Sequence, residues 1–294
     1  MPKPSILRHT ARSRARLDER AASRPADDTA EVTAPRRTFT GVIGTLCMFP
    51  LRAIIAFCVA LRVHPNTLTL VGYLINVAAA FALGYGHFVR AGVIIVIANI
   101  FDMIDGKVAH ELQLQSQFGA FWDSTLDRLS DLALLTGLIF LYSRLGRSDY
   151  VMVASLTLIF SIMTSYARAR AESLVEKCKV GFMERPERIV LFMIGAFTNR
   201  MGAVMWVILV LSIVSVVNRI HFTYLALNAK PIPRGGNPVS ATFWRAFFWT
   251  DERTTVPYDL WVIAILAFVW LTPPVWINDP TAQGLGVWAL LNPQ

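Results

Sequence analysis

The sequence predicts an all-α integral membrane protein: a six-helix transmembrane core, an N-terminal helix lying at the membrane interface, and a C-terminal stretch that could form a seventh span. Three observations carry this. Hydrophobic residues make up 54% of the 294 and charged residues only 16%, against about 25% charge in soluble globular domains. Mean hydropathy is +0.48. Apolar windows of roughly 20 residues, enough to cross about 30 Å of hydrocarbon, recur along the chain.

Residues 1–38 are charged, contain proline and lack the apolar core of a signal peptide, so they read as a disordered basic cytosolic tail. Arg12, Arg14 and Arg16 could touch an anionic membrane surface, or the tail could simply be solvated. Residues 42–61 are long enough to span, but Pro50 and Arg52 interrupt them. A charge at the bilayer centre costs at least about 2.5 kcal/mol, which favours a helix held at the interface by its apolar face.

Pro65 and Asn66 then open a helix, and the first span runs from about 67 to 84. Gly84 and Gly86 make a turn, and the second span runs from near Val89 into IANIFDMIDG. The third covers about 118–142 and the fourth about 149–171. The fifth, interrupted at its start by Pro186, covers about 188–204, and the sixth about 205–226. A Gly/Pro-rich connector, AKPIPRGGNPVS, and an aromatic stretch, ATFWRAFFW, lead to the optional seventh span at 258–276. The domain division is therefore 1–38 (tail), 39–228 (membrane domain with its interfacial helix) and 229–294 (C-terminal extension).

The formal net charge is +8, yet the bases are not arranged for nucleic acid. Nine of them lie in the first 37 positions, and most others flank apolar segments. With the N-terminus inside, Lys177, Lys179, Arg185 and Arg188 face the cytosol, opposite Arg90, Arg144, Arg147 and Arg200. That distribution fits the positive-inside rule. Cys47, Cys58 and Cys178 have no metal-ligand spacing, and the first two read as small buried thiols.

The chemistry concentrates in FDMIDGKVAHELQLQSQFGAFWDSTLDRLSD. Asp102 and Asp105 are three apart and share a helix face, and Asp123 and Asp127 are four apart and share another. A short polar turn makes the two helices antiparallel neighbours, so four carboxylates converge. Like charges that close repel or take up protons, and divalent cations resolve the conflict. One or two Mg²⁺ or Mn²⁺ ions would accept these oxygens together with those of a pyrophosphate. One such acid could merely cap a helix or pair with Lys107 or Arg128; four at paired spacing in a membrane need another account. Asp131 continues the series a turn deeper and is expected to pair with a base or a polar group.

This stretch resembles the signature of the CDP-alcohol phosphotransferase family. Asp102, Asp105, Gly106, Ala109, Gly119, Asp123 and Asp127 all fall in the family pattern, and the likeness runs from about Pro65 to Arg219. The family's arginine after Ala109 is His110 here, a shorter and only partly charged group. Lys107 or another base would then supply charge to the nucleotide phosphates. The resemblance implies that Asp102, Asp105 and Asp123 bind metal, and that Asp127 assists the metal and acts as general base. It implies that a phosphatidyl group passes from CDP-diacylglycerol to the hydroxyl of a small polar alcohol, with CMP leaving. Gly106 and Gly119 would leave room for cytidine and ribose, and Asn66 and Thr69 would either contact the nucleotide or cap their helix. The family also implies a homodimer among membrane lipids, in a bacterial inner membrane, with sites opening to the cytosol.

A second stretch, SYARARAESLVEKCKVGFMERPERIVLF, bears on the acceptor. Arg168 and Arg170 end the fourth span, and Arg185 and Arg188 open the fifth. Guanidinium matches phosphate oxygens, so these four suggest a phosphorylated acceptor. The stretch resembles family members that use inositol phosphate; glycerol phosphate and serine remain alternatives, and the arginines could instead answer Glu172, Glu184 and Glu187. A transporter is the rival class, but the acids lie near one membrane face and no inverted repeat is visible. A CDP-lipid-binding pseudoenzyme stays open because of His110.

Overall fold

The computed structural model describes residues 51–229, 237, 244 and 256–282. Within these the fold is all-helical. Helix α1 is Leu51–Ala60, followed by α2 (Pro65–Gly84), α3 (Phe88–Glu111), α4 (Gln117–Arg144), α5 (Ser148–Glu172), α6 (Arg185–Thr198), α7 (Met201–Leu227) and α8 (Val256–Leu271). Helices α2, α5 and α7 are long and apolar enough to cross a membrane. The tail, Cys47, residues 42–50 of the expected interfacial helix, and most of the connector and aromatic stretch lie outside the described residues. Of that expected helix, α1 is the described part, and it buries Leu51, Ile55 and Cys58 along one stripe.

Local chemistry sets the helix ends. His64 caps α2, its ring nitrogen accepting from the Asn66 backbone N–H, with Pro65 in the first turn where no N–H is needed. Ser116 caps α4 by accepting from the Gly119 N–H at 2.9 Å. Pro186 likewise starts α6 rather than breaking it. The fifth segment ends at Thr198, not near 204, because Asn199 turns left-handed (φ 53°), and α7 begins at Met201. Helix α3 continues through Gly106 to Glu111, so its acids stand on regular helix.

Helix α2 packs on α3 and α4, α5 on α4 and α7, α6 on α3 and α7, and α8 on α7. A Cβ on Gly137 would collide with the Ala80 backbone, so glycine there lets α2 and α4 approach closely. The core between the helices includes Leu83, Ile95, Leu134, Leu138, Tyr142 and Phe192, all essentially inaccessible. Outside it, Phe81, Met152, Val210 and Ile220 stand exposed. Large apolar surface of that kind is what a bilayer covers. Successive helices alternate in direction, so α2, α4 and α6 begin at the end of the bundle where α3, α5 and α7 finish. The four acids and Arg168, Arg185, Arg188 and Arg219 lie at that end.

Candidate active site

Asp102 and Asp105 lie on the last turns of α3, and Asp123 and Asp127 on the first turns of α4. One carboxylate oxygen each from Asp102, Asp123 and Asp127 lies within 4.8 Å of the others. Asp105 stands beside this trio and is held separately: the Thr69 hydroxyl donates to its Oδ2 at 2.5 Å. Thr69 is thus an orienting partner of an acid, and its hydroxyl oxygen also lies 3.2 Å from the Pro65 carbonyl oxygen. From α6, the Arg185 guanidinium Nη1 reaches both Asp102 Oδ2 (2.8 Å) and Asp127 Oδ1 (2.9 Å).

The donor set fits a divalent cation. All its atoms are hard carboxylate oxygens, which suit Mg²⁺ or Mn²⁺ rather than a softer ion. The Arg185 guanidinium contacts Asp102 and Asp127, and a divalent cation would neutralise the negative charge that the converging carboxylates share beyond that contact.

Two cavities flank the acids. One, of about 310 Å³, is lined by Asn66, Thr69, Asp105, Gly106, Ala109, Gly119 and Asp123 among others. Gly106 faces open space, and a Cβ on Gly119 would press on Ser116 Oγ at 3.1 Å and Asn66 Oδ1 at 3.4 Å. The other, of about 360 Å³, is lined by Asp127, Asp131, Arg168, Arg185, Arg188 and Arg219 with several neighbours. Asp127 therefore faces one cavity, and Asp105 and Asp123 the other.

The second cavity is walled by ion pairs, one of them fully buried. Arg188 donates to Asp131 Oδ2 through Nη2 (2.6 Å) and Nε (3.1 Å), and through Nη1 to Thr164 Oγ1 (3.2 Å). This is the partner expected for Asp131. Arg168 holds Glu184 at 2.5 Å and Glu172 at 3.0 Å, so the glutamates do answer part of its charge. Arg219 is 2% exposed; it donates to the carbonyls of Val180 (3.1 Å) and Thr164 and lies 3.7 Å from Glu184.

The residues expected at the site do not all line these two cavities. Arg170 is exposed, bonds Ser173 Oγ at 3.3 Å and lines neither cavity, because it sits two residues from Arg168 and so on another face of α5. Arg219 completes the arginine set instead. Its signal in the sequence was a lone charge within the apolar run of α7, a placement that is rarely idle. His110 is exposed, and neither it nor Lys107 lines either of these two cavities.

Residues 62–218 match the family model described as CDP-alcohol phosphatidyltransferase. The chain is 35% identical over 173 residues to the archaetidylinositol phosphate synthase of Pyrococcus horikoshii, covering 58% of this chain and 89% of that one. It is 33% identical over 195 residues to the phosphatidylinositol phosphate synthase of Mycobacteroides abscessus, covering 63% and 85%. Among solved structures it resembles Mycobacterium tuberculosis phosphatidylinositol phosphate synthase with CDP-DAG bound (TM-score 0.57, 28% identity, 64% of this chain and 98% of that). The same enzyme in complex with manganese and citrate superposes with TM-score 0.55 at 27% identity, covering 65% and 98%.

Proposed function

Because this chain belongs to the CDP-alcohol phosphatidyltransferase family, we propose that it transfers a phosphatidyl group from CDP-diacylglycerol to a hydroxyl of an inositol phosphate, releasing CMP. The observation that carries this reading is the placing of the Asp102–Asp123–Asp127 cluster between two cavities, one of them walled by five arginines. The relatives named as phosphatidylinositol phosphate and archaetidylinositol phosphate synthases support the acceptor.

In this reading the glycine-lined cavity takes the cytidine end of the donor, and Asn66, Gly106, Ala109 and Gly119 shape it. Asp102, Asp123 and Asp127 would hold Mg²⁺ or Mn²⁺, with Asp105, oriented by Thr69, completing the set. When bound there, such an ion would supply charge neutralisation at the pyrophosphate. The arginine cavity takes the phosphorylated alcohol, with Arg168, Arg185, Arg188 and Arg219 facing its phosphate. Asp127, the cluster acid on that cavity's wall, removes the proton from the attacking hydroxyl. A new O–P bond forms at the phosphorus bearing diacylglycerol, the bond to CMP breaks, and CMP leaves with its electron pair.

The same reading takes α2–α7 as six crossings in a homodimer of a bacterial inner membrane, with the site at the cytosolic face beside Lys177 and Lys179. Helix α6 has 14 residues, about 21 Å, and would cross only where the bilayer thins or its flanks contribute.

The test is turnover of radiolabelled CDP-diacylglycerol by purified protein with inositol phosphate, glycerol phosphate, inositol or serine, following CMP and lipid product together. Product with inositol phosphate, lost on chelation and in Asp127→Asn, is expected. Absence of product with every acceptor, from folded protein that still binds CDP-diacylglycerol, would sink the reading.

A further inference from the structure

The C-terminal helix α8 lies beyond residue 218, outside the family match. It runs alongside α7, and Val269 on it is 1% exposed. The segment that follows it is tied down by three carbonyl contacts. Arg200 Nη1 donates to Thr272 O (3.1 Å), the Tyr150 hydroxyl to Ile277 O (2.7 Å) and Arg147 Nη2 to Asn278 O (2.6 Å). The Asp279 carboxylate fills the space over Gly202 at the start of α7, where no Cβ could fit. The segment is therefore a fixed part of the bundle rather than a loose tail.

The start of α8 touches the short stretch that carries the acceptor arginines. The Tyr258 hydroxyl donates to Glu187 Oε1 at 3.4 Å, and its ring lies 5.7 Å from that of Phe182. Glu187 sits between Arg185 and Arg188 at the first turn of α6. Phe182 precedes Met183, whose carbonyl accepts from Arg188 at 3.4 Å. Tyr258 lines neither cavity, so it holds this stretch from outside the site.

We infer that Tyr258 is a positioning residue: α8, through its contacts with Glu187 and Phe182, sets the placement of Arg185 and Arg188 and thereby the affinity of the site for a phosphorylated acceptor. A structural extension added to the family core becomes part of the acceptor half of the site. The role of the arginines as acceptor ligands rests on the function proposed above; the mechanical coupling does not.

The experiment uses the full chain with Tyr258→Phe, which removes the hydroxyl and keeps the ring, and Tyr258→Ala, which removes both. Leu260→Ala, exposed on the same helix, is the control. Steady-state turnover is measured against inositol phosphate and CDP-diacylglycerol separately. In parallel, inorganic phosphate is titrated against the thermal midpoint, a readout that needs no turnover. Tyr258→Phe is expected to raise the acceptor KM and the phosphate midpoint concentration by roughly three- to tenfold, the range for loss of one ordinary hydrogen bond. Tyr258→Ala should raise them further, while kcat and the lipid KM stay within about twofold of wild type in Tyr258→Phe. Unchanged acceptor KM and phosphate response in both variants would overturn the inference. So would a fall of kcat, both KM-based efficiencies and thermal midpoint in step, since that is what a merely structural brace gives. Wild-type protein that forms no product but whose phosphate response weakens in Tyr258→Phe would retain the coupling and reject the proposed function.

Discussion

Arg188 and Asp131 form a closed pair inside the bundle, two N–H groups of one converging on a single carboxylate oxygen of the other, with side chains 2% and 6% exposed. The pair joins α6 to α4 and so ties the arginine wall to the helix that carries Asp123 and Asp127. Removing one partner strands a buried charge. Asp131→Ala should lower stability by about 3–5 kcal/mol, visible as a large drop in thermal midpoint in detergent. A double variant with both groups replaced by apolar residues should recover much of that loss while leaving the acceptor poorly bound.

Thr69→Val tests the orientation of Asp105. The bond is short and made to a carboxylate, a class worth about 1.5–3 kcal/mol. Turnover should fall roughly ten- to hundredfold, and Thr69→Ser should keep most of it, because the hydroxyl rather than the methyl makes the contact. A Thr69→Val protein with wild-type rates would remove Thr69 from the site.

The arginines should separate by position. Arg170→Gln should leave the acceptor KM within about twofold, since that side chain lines neither cavity and exposed ionic contacts are worth little. Arg219→Gln should raise it by about tenfold or more, and Arg219→Lys should rescue only in part, because an ammonium lacks the guanidinium fork. Acceptor saturation curves at fixed CDP-diacylglycerol give the comparison.

Metal should be visible without catalysis. Mn²⁺ or Mg²⁺ added to chelator-treated protein should raise its thermal midpoint by neutralising Asp102, Asp123 and Asp127. Asp123→Asn should blunt that response and abolish turnover. Equal stabilisation of the variant and wild type would place the ion elsewhere.

Cys178, in the segment between α5 and α6, is fully buried, and burial pushes its thiol above the ordinary range. The thiolate is the reactive form. Iodoacetamide at about pH 8.5 should therefore leave Cys178 unmodified in the folded protein and modify it on denaturation, as mass spectrometry of the digested chain would report.

Much of this was legible in one dimension. The spacing of Asp102 with Asp105 and of Asp123 with Asp127 follows from helix period alone, and the short turn between them forces the two pairs together. The apolar windows marked α2, α5 and α7 for the same reason: backbone polar groups in hydrocarbon need helix, and length sets whether one crosses. Even Asp131 announced a partner, since an acid one turn deeper in an apolar face must find a base or a polar group, and the structure supplies Arg188. What periodicity could not decide was which side chains from separate helices meet. Arg168 and Arg170 look equivalent in the sequence, yet a rotation of about 200° along one helix sends one to the cavity and the other to the surface. Arg219 enters the site only because α7 packs against α5 and α6, and Tyr258 reaches Glu187 only because α8 folds back along α7. Local residue order sets which groups share a face; long-range packing alone sets which faces share a site.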